Sequence, residues 1–257
     1  MKQLPNILTL ANLFCGALAI IFILHAPQYI AEFNGAEYTI TNPEPVYWAS
    51  ALVVLAALFD FLDGLAARWL KLQSPFGKEL DSLADMVSFG IVPGMILFRL
   101  LRSAYMQLPD VFDVSYLNLA PALLVPCFAA YRLAKFNLDT RQSENFIGMP
   151  TPAVGLLVAS FPLIVLYNPF NLAPLLQNIW ILYGIVILLC YLMVAEIPML
   201  SMKFKNLQMG QNWPRLLLIL LAVAGIPVLR FATVPFVFIC YVLLSVIAPP
   251  ATGNAGK

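Results

Sequence analysis

Eight long apolar runs, interrupted only by short clusters of turn residues and charge, leave most of this chain with a single suitable solvent. They cover 6–26, 46–70, 79–101, 117–137, 152–167, 175–195, 213–229 and 231–248. A bilayer core of roughly 30 Å takes about 20 apolar residues per helical crossing. Lipid offers no water to satisfy backbone polar groups, so each run is expected to be a helix. With 61% hydrophobic and 11% charged residues among 257, the chain lies far outside the composition of a soluble domain. The fold class is therefore all-α: a polytopic membrane helix bundle of about eight transmembrane helices, in a single membrane domain over 1–257. The breaks in "GIPVLRFATVP" (225–235) make the last two runs a tight turn or a kinked segment.

The charges orient this bundle. With the amino terminus in the cytoplasm, Lys2, Arg68, Lys71, Lys78, Arg132, Lys135, Arg141, Lys203, Lys205, Arg215 and Lys257 share that side, eleven of the fourteen basic residues. Only Arg99, Arg102 and Arg230 fall opposite, while the outer segments carry Glu32, Glu37, Glu44, Asp110 and Asp113. By the positive-inside rule both termini are cytoplasmic, in the cell inner membrane. The opening "MKQLPNILTLANLFCGALAIIFIL" is read as a retained first helix, because no small-residue cleavage site follows its apolar stretch. Cys15, Cys127, Cys190 and Cys240 stand singly in apolar runs, away from the lone His25, which points to neither a disulfide framework nor a zinc site. A net charge of +1 gives no reason to expect a nucleic-acid partner.

Against this apolar background the stretch "DFLDGLAARWLKLQSPFGKELDSLAD" (60–85) concentrates acid. Asp60 and Asp63, three apart, share one helical face, and Asp81 and Asp85, four apart, share another. Ser74, Pro75 and Gly77 read as the turn between them. A short connection makes the helices antiparallel neighbours, so both pairs can converge at one depth near the cytoplasmic surface. Four crowded carboxylates need positive charge among them. Oxygen donors without nearby sulfur or imidazole suit Mg2+ or Mn2+, with Ca2+ a further occupant. A pair of such ions would make a phosphoryl-transfer site. Gly64 would let a ligand approach the helix backbone, and Arg68 could fork onto phosphate oxygens. A divalent-cation transporter is the alternative from another class, although its acids would be expected in repeated halves.

Asp60, Asp63, Gly64, Ala67, Arg68, Gly77, Asp81 and Asp85 match the spacing D-x2-D-G-x2-A-R-x8-G-x3-D-x3-D, which resembles the signature of the CDP-alcohol phosphatidyltransferase family. The resemblance implies an all-helical membrane enzyme that moves a phosphatidyl group from a CDP-linked lipid to an alcohol and releases CMP. It implies a catalytic core over 1–150, with additional helices over 151–257. Asp60, Asp63 and Asp81 would hold one metal, and Asp60, Asp81 and Asp85 would hold or border a second. Asp85 would be the general base, with Asp81 also at the catalytic centre. Gly64, Ala67, Arg68 and Gly77 would surround the cytidine and diphosphate. A homodimer belongs to the same implication.

Further stretches bear on the acceptor. Asn6, Thr9, Asn12 and Gly16 form one polar or small stripe on the first helix, which resembles the opening of the family's serine-using members; Asn6 and Thr9 are assigned to the CDP-lipid. "YRLAKFN" (131–137) and "GMPTP" (148–152) resemble two further elements of those members, with Lys135 where a second arginine is usual. Arg132, Lys135, Asn137 and Pro150 are the candidates for contacting serine. Arg132 is the fixed cation for the serine carboxylate. The expectation is transfer from CDP-diacylglycerol to L-serine at the cytoplasmic face, with membrane lipids as surroundings. Glycerol phosphate or inositol phosphate are the alternative acceptors.

Overall fold

Pro5 sits in the first turn of the first helix, where its missing N–H costs no intrahelical bond. The computed structural model describes residues 3–25, 28–33, 36–41, 44–108, 114–139, 146–200 and 209–247. Lys2, Asp110, Asp113, Arg141, Lys203, Lys205 and Lys257 lie outside the described residues. Helix α1 (Leu4–Leu24) leads through an antiparallel ribbon, β1 (Gln28–Phe33) and β2 (Ala36–Thr41), into α2 (Glu44–Trp69). Then come α3 (Pro75–Asp85), a π-helical turn (Met86–Ile91), α4 (Val92–Tyr105), short α5 (Tyr116–Leu119), a 3-10 turn (Ala120–Leu123) and α6 (Leu124–Leu138). Strand β3 (Phe146–Ile147), α7 (Thr151–Tyr167), short α8 (Ala173–Leu176), α9 (Ile179–Val194), β4 (Pro198–Met199), α10 (Met209–Leu229) and α11 (Thr233–Ile247) follow.

Every apolar run is helical. Leu4–Leu24, Glu44–Trp69, Pro75–Tyr105, Tyr116–Leu138 and Asn212–Ile247 are long and apolar enough to cross a membrane; Thr151–Tyr167 and Ile179–Val194 are shorter apolar helices. The stretch 212–247 turns back on itself. A Cβ on Gly225 would stand 2.6 Å from the Thr233 methyl, yet two residues eight apart in a straight helix are separated by about 12 Å. The reversal falls at Arg230, whose φ of 51° leaves the right-handed region. The β1–β2 ribbon, with Gln28 opposite Thr41 and Phe33 opposite Ala36, is invisible to a hydropathy reading, because it is too short and polar to form an apolar run.

Helices α1 and α2 pack along each other with small buried residues on both, Ala19 on α1 and Ala49, Val53 and Ala56 on α2. The core extends through Phe89, Leu97, Val125, Val158 and Val186, all fully buried. Large apolar side chains such as Phe14, Phe61 and Trp180 point outward, as lipid-facing positions do.

Two local devices aim the acidic stretch. Ser74 caps α3, its Oγ accepting from the Gly77 N–H at 3.0 Å, with Pro75 in the first turn. Beyond Asp85 the helix widens, and the Val92 N–H reaches Val87 O, five residues back. Pro93 has no N–H to give the preceding turn, and the wider winding just ahead of it accommodates that loss. The Ser88 hydroxyl on this turn donates to Asn12 O at 3.0 Å. A Cβ on Gly16 would stand 2.4 Å from Ser88 Oγ and 3.0 Å from its backbone Cα. Gly16→Ala therefore forces α1 off the π-helical turn. The expected cost is about 1–3 kcal/mol, read as a lowered midpoint of thermal unfolding in detergent; an unchanged midpoint would refute the close approach.

Candidate functional site

Helices α2 and α3, on either side of the 70–74 turn, each pack against α1 and bring carboxylates to one place. Oxygens of Asp60, Asp63 and Asp81 lie within 4.8 Å of one another. Asp63 is buried, and Asp60 and Asp81 are half-buried. One oxygen of Asp81, Oδ1, is buried without any hydrogen-bond partner. A cluster of carboxylates alone, with one buried oxygen left unsatisfied, is a donor set that can hold a hard divalent cation. Asp85, one turn further into the bundle and buried, stands outside that triad.

The first helix supplies the neutral donors. Thr9 Oγ1 donates to Asp63 Oδ2 at 2.6 Å, and Asn12 Nδ2 donates to Asp85 Oδ1 at 3.2 Å. Thr9 and Asn12 are both buried, and Asn12 Oδ1 has no partner. The stripe on α1 thus serves the acids directly. Asn12 was read only as part of that stripe; its three-residue spacing from Thr9 was the available signal for its carboxylate contact.

Beside the triad a groove of about 150 Å3 is lined by Asn6, Thr9, Asp63, Gly64, Ala67, Gly77 and Asp81, together with Gln73 and Lys78. Five of the six residues assigned to the CDP-lipid therefore line one groove. The sixth, Arg68, is exposed, and its guanidinium lies 3.9 Å from where a Gly64 Cβ would be. Among the described residues, and apart from its own helix backbone, such a Cβ would meet no other atom within 4 Å, so the space beside Gly64 is open to a ligand. Gly77 differs: its absent Cβ would lie 3.1 Å from the capping Ser74 Oγ and 3.4 Å from Asn6 Oδ1. Gln73 and Lys78 lay on the turn and carried no motif to single them out.

The acceptor candidates separate into two kinds. Arg132 is buried, with Nη1 3.4 Å from Thr151 Oγ1, its guanidinium 5.2 Å from the Phe136 ring centroid, and Nε without a partner. Lys135 is committed elsewhere, in an ion pair with Glu196 at 3.1 Å. Asn137 ties α6 to α3, its amide donating to Ser82 Oγ at 2.9 Å and its carbonyl accepting from Lys78 Nζ at 3.1 Å. Pro150 begins α7 as its N-cap. The preceding Gly148, at φ 77°, packs on the end of α9, where a Cβ would stand 2.7 Å from Met193 O. The Gly148 and Met149 N–H groups bond to Ile197 O and Leu192 O, and this anchoring fixes Thr151 against Arg132.

A family model described as CDP-alcohol phosphatidyltransferase matches residues 2–195. The CDP-diacylglycerol–serine O-phosphatidyltransferase of Bacillus subtilis is 31% identical over 175 residues, covering 67% of this chain and 81% of that protein. The archaetidylserine synthase of Methanothermobacter thermautotrophicus is 29% identical over 173 residues, 66% of this chain and 62% of its own. The CDP-diacylglycerol–serine O-phosphatidyltransferase of Mycobacterium bovis is 29% identical over 259 aligned positions, 96% of this chain and 79% of its own.

If the triad is a cation site, Asp60→Asn and Asp81→Asn each weaken Mn2+ binding by about tenfold or more, as measured by paramagnetic resonance titration of the purified chain. Unaltered Mn2+ affinity in both variants would show that these carboxylates are not ligands.

Proposed function

This chain belongs to the CDP-alcohol phosphatidyltransferase family, and we propose that it transfers the phosphatidyl group of CDP-diacylglycerol to the hydroxyl of L-serine, giving phosphatidylserine and CMP. The observation that carries the transfer chemistry is the Asp60–Asp63–Asp81 triad at the side of a groove whose Gly64 wall is open. The excess of basic residues at that end of the helices favours a site facing the cytoplasm at the inner membrane, with eight crossings and both termini inside.

Asp60, Asp63 and Asp81 would hold one Mg2+ or Mn2+ ion, and Asp60, Asp81 and Asp85 would hold or border a second. When bound, such ions supply positive charge for the diphosphate and the charge developing at phosphorus. The chain's own residues do the rest. Gly64 and Ala67 leave room for the nucleotide, and the Arg68 guanidinium donates to phosphate oxygens. Asp85 accepts the proton of the serine hydroxyl while Asn12, bonded to its Oδ1, holds the carboxylate in place. The serine oxygen forms a bond to the lipid-linked phosphorus. The bond from that phosphorus to the oxygen bridging to CMP breaks, and CMP leaves with that oxygen. The stretch 60–85 has no cysteine or histidine, and its two serines are engaged within the fold, Ser74 Oγ accepting from the Gly77 N–H and Ser82 Oγ donating to Lys78 O and accepting from Asn137, which favours direct attack.

Serine as acceptor is supported by Arg132, a buried cation with an unpaired Nε beside Thr151. A buried guanidinium is a partner for the carboxylate that distinguishes serine from simple alcohols. The names of two relatives differ in their lipid and agree in serine. Lys135, paired with Glu196, then acts on the position of α6 and not on the substrate.

Purified protein incubated with CDP-diacylglycerol, Mg2+ or Mn2+ and serine, glycerol phosphate or inositol phosphate in turn is expected to form lipid product with serine alone. Product formed only with a phosphorylated alcohol would overturn the assignment. Arg132→Gln is expected to raise the serine KM by about tenfold to a hundredfold while leaving the KM for CDP-diacylglycerol unchanged. Gly64→Ala separates ligand space from protein packing. In a helix interior it stabilises by up to ~1 kcal/mol, so a maintained or raised unfolding midpoint together with a loss of turnover is the expected pair. Full turnover in this variant would remove the nucleotide from beside Gly64.

A further inference from the structure

A second groove lies at the opposite end of α7. Helix α7 begins at Thr151, against Arg132, and ends at Tyr167 after 17 residues, a rise of about 26 Å. At that far end Tyr167 stacks on Phe231 with ring centroids 5.0 Å apart. The α10–α11 hairpin completes a cavity of about 720 Å3, lined by Tyr167, Ala222, Ile226, Arg230, Thr233 and Val234 among others. Ile226 is 64% exposed and Val234 37%, so the groove opens sideways from the helix bundle toward lipid.

Its polar groups can all donate, and none has a hydrogen-bond partner among the described residues. Thr233 is 4% exposed, and its Oγ1 is buried without a hydrogen-bond partner, not even the carbonyl one turn earlier that a helical threonine commonly uses. Among the described residues, Arg230 and the Tyr167 hydroxyl make no hydrogen bond, and Arg230 forms no ion pair. Arg230 also occupies a left-handed conformation, φ 51°, at a helix end where glycine would fit without steric cost. A guanidinium is held there in spite of its backbone. An apolar trough with an arginine and a phenol at its head, at the depth where a membrane helix ends, matches one kind of molecule: acyl chains carrying an anionic, acceptor-rich headgroup.

We infer that this groove binds an anionic phospholipid of the leaflet opposite the acidic site, with its acyl chain along Ala222, Ile226 and Val234 and its phosphate on Arg230. The lipid here is a resident ligand and not a substrate, because α7 separates the groove from the Asp60–Asp63–Asp81 triad by the thickness of the bundle.

The test uses the full chain in phosphatidylcholine vesicles containing a trace of phosphatidylglycerol or phosphatidylcholine with a photoreactive acyl chain, the label being mapped by peptide mass spectrometry. The expected result is labelling of 222–237 that favours the anionic probe by about fivefold, undiminished by inorganic phosphate. Arg230→Gln abolishes that preference. Arg230→Gly does the same while relieving the left-handed strain, and its unfolding midpoint, no lower than that of the parent chain, shows that the hairpin persists. Equal labelling by both probes, an anionic preference that survives in both variants, competition by inorganic phosphate, or cross-links from 222–237 to a second copy of this chain would each overturn the inference.

Discussion

Carboxylate repulsion governs the architecture of the acidic end. At an effective dielectric of about 20, two charges 4.8 Å apart repel by about 3 kcal/mol, and the two such pairs that span the helices, Asp60–Asp81 and Asp63–Asp81, would push α2 and α3 apart if nothing restrained them. The restraint is helix α1. Its small residues hold it against α2, Gly16 seats it on the π-helical turn beyond α3, and Thr9 and Asn12 reach one acid on each of the two helices. The acids are kept together by neutral packing, which leaves their charge available to a ligand.

The same contrast separates two uses of glycine. Where Gly16, Gly94, Gly148 and Gly155 lack a side chain, protein atoms lie within 3 Å of the position a Cβ would take; these are packing sites. Around Gly64 there is no such neighbour, so its small size serves no contact within the fold. Gly184 in α9 is open as well, but on an exposed helix face, whereas the space beside Gly64 adjoins the acidic groove.

Much of this was legible in the sequence because lipid imposes a simple rule: apolar length means helix. The eight runs and the convergence of Asp60, Asp63 and Asp81 follow from periodicity and one short turn. What escaped depends on contacts between distant segments. Glu196 gave no sign that it would occupy Lys135, nor Ser82 that it would engage Asn137, since each pair is separated by more than fifty residues. The β1–β2 ribbon escaped for a different reason, because strand pairing carries a period of two and the apolar content of 28–41 is too low to define a run. Asp85 shared a helical face with Asp81, yet spacing alone could not tell that it would sit outside the triad, on Asn12.

The wide turn at Met86–Ile91 sets a phase relation along a 31-residue rod. One residue added to a turn shifts the azimuth of everything upstream by about 100° relative to everything downstream. The face of α4 that the core requires and the face of α3 that carries Asp81 and Asp85 are thus decoupled, like two gears on one shaft joined by an offset key. Shortening that segment by a single residue would keep the rod, its length and its greasy character, and would swing both carboxylates away from their counterparts on α2.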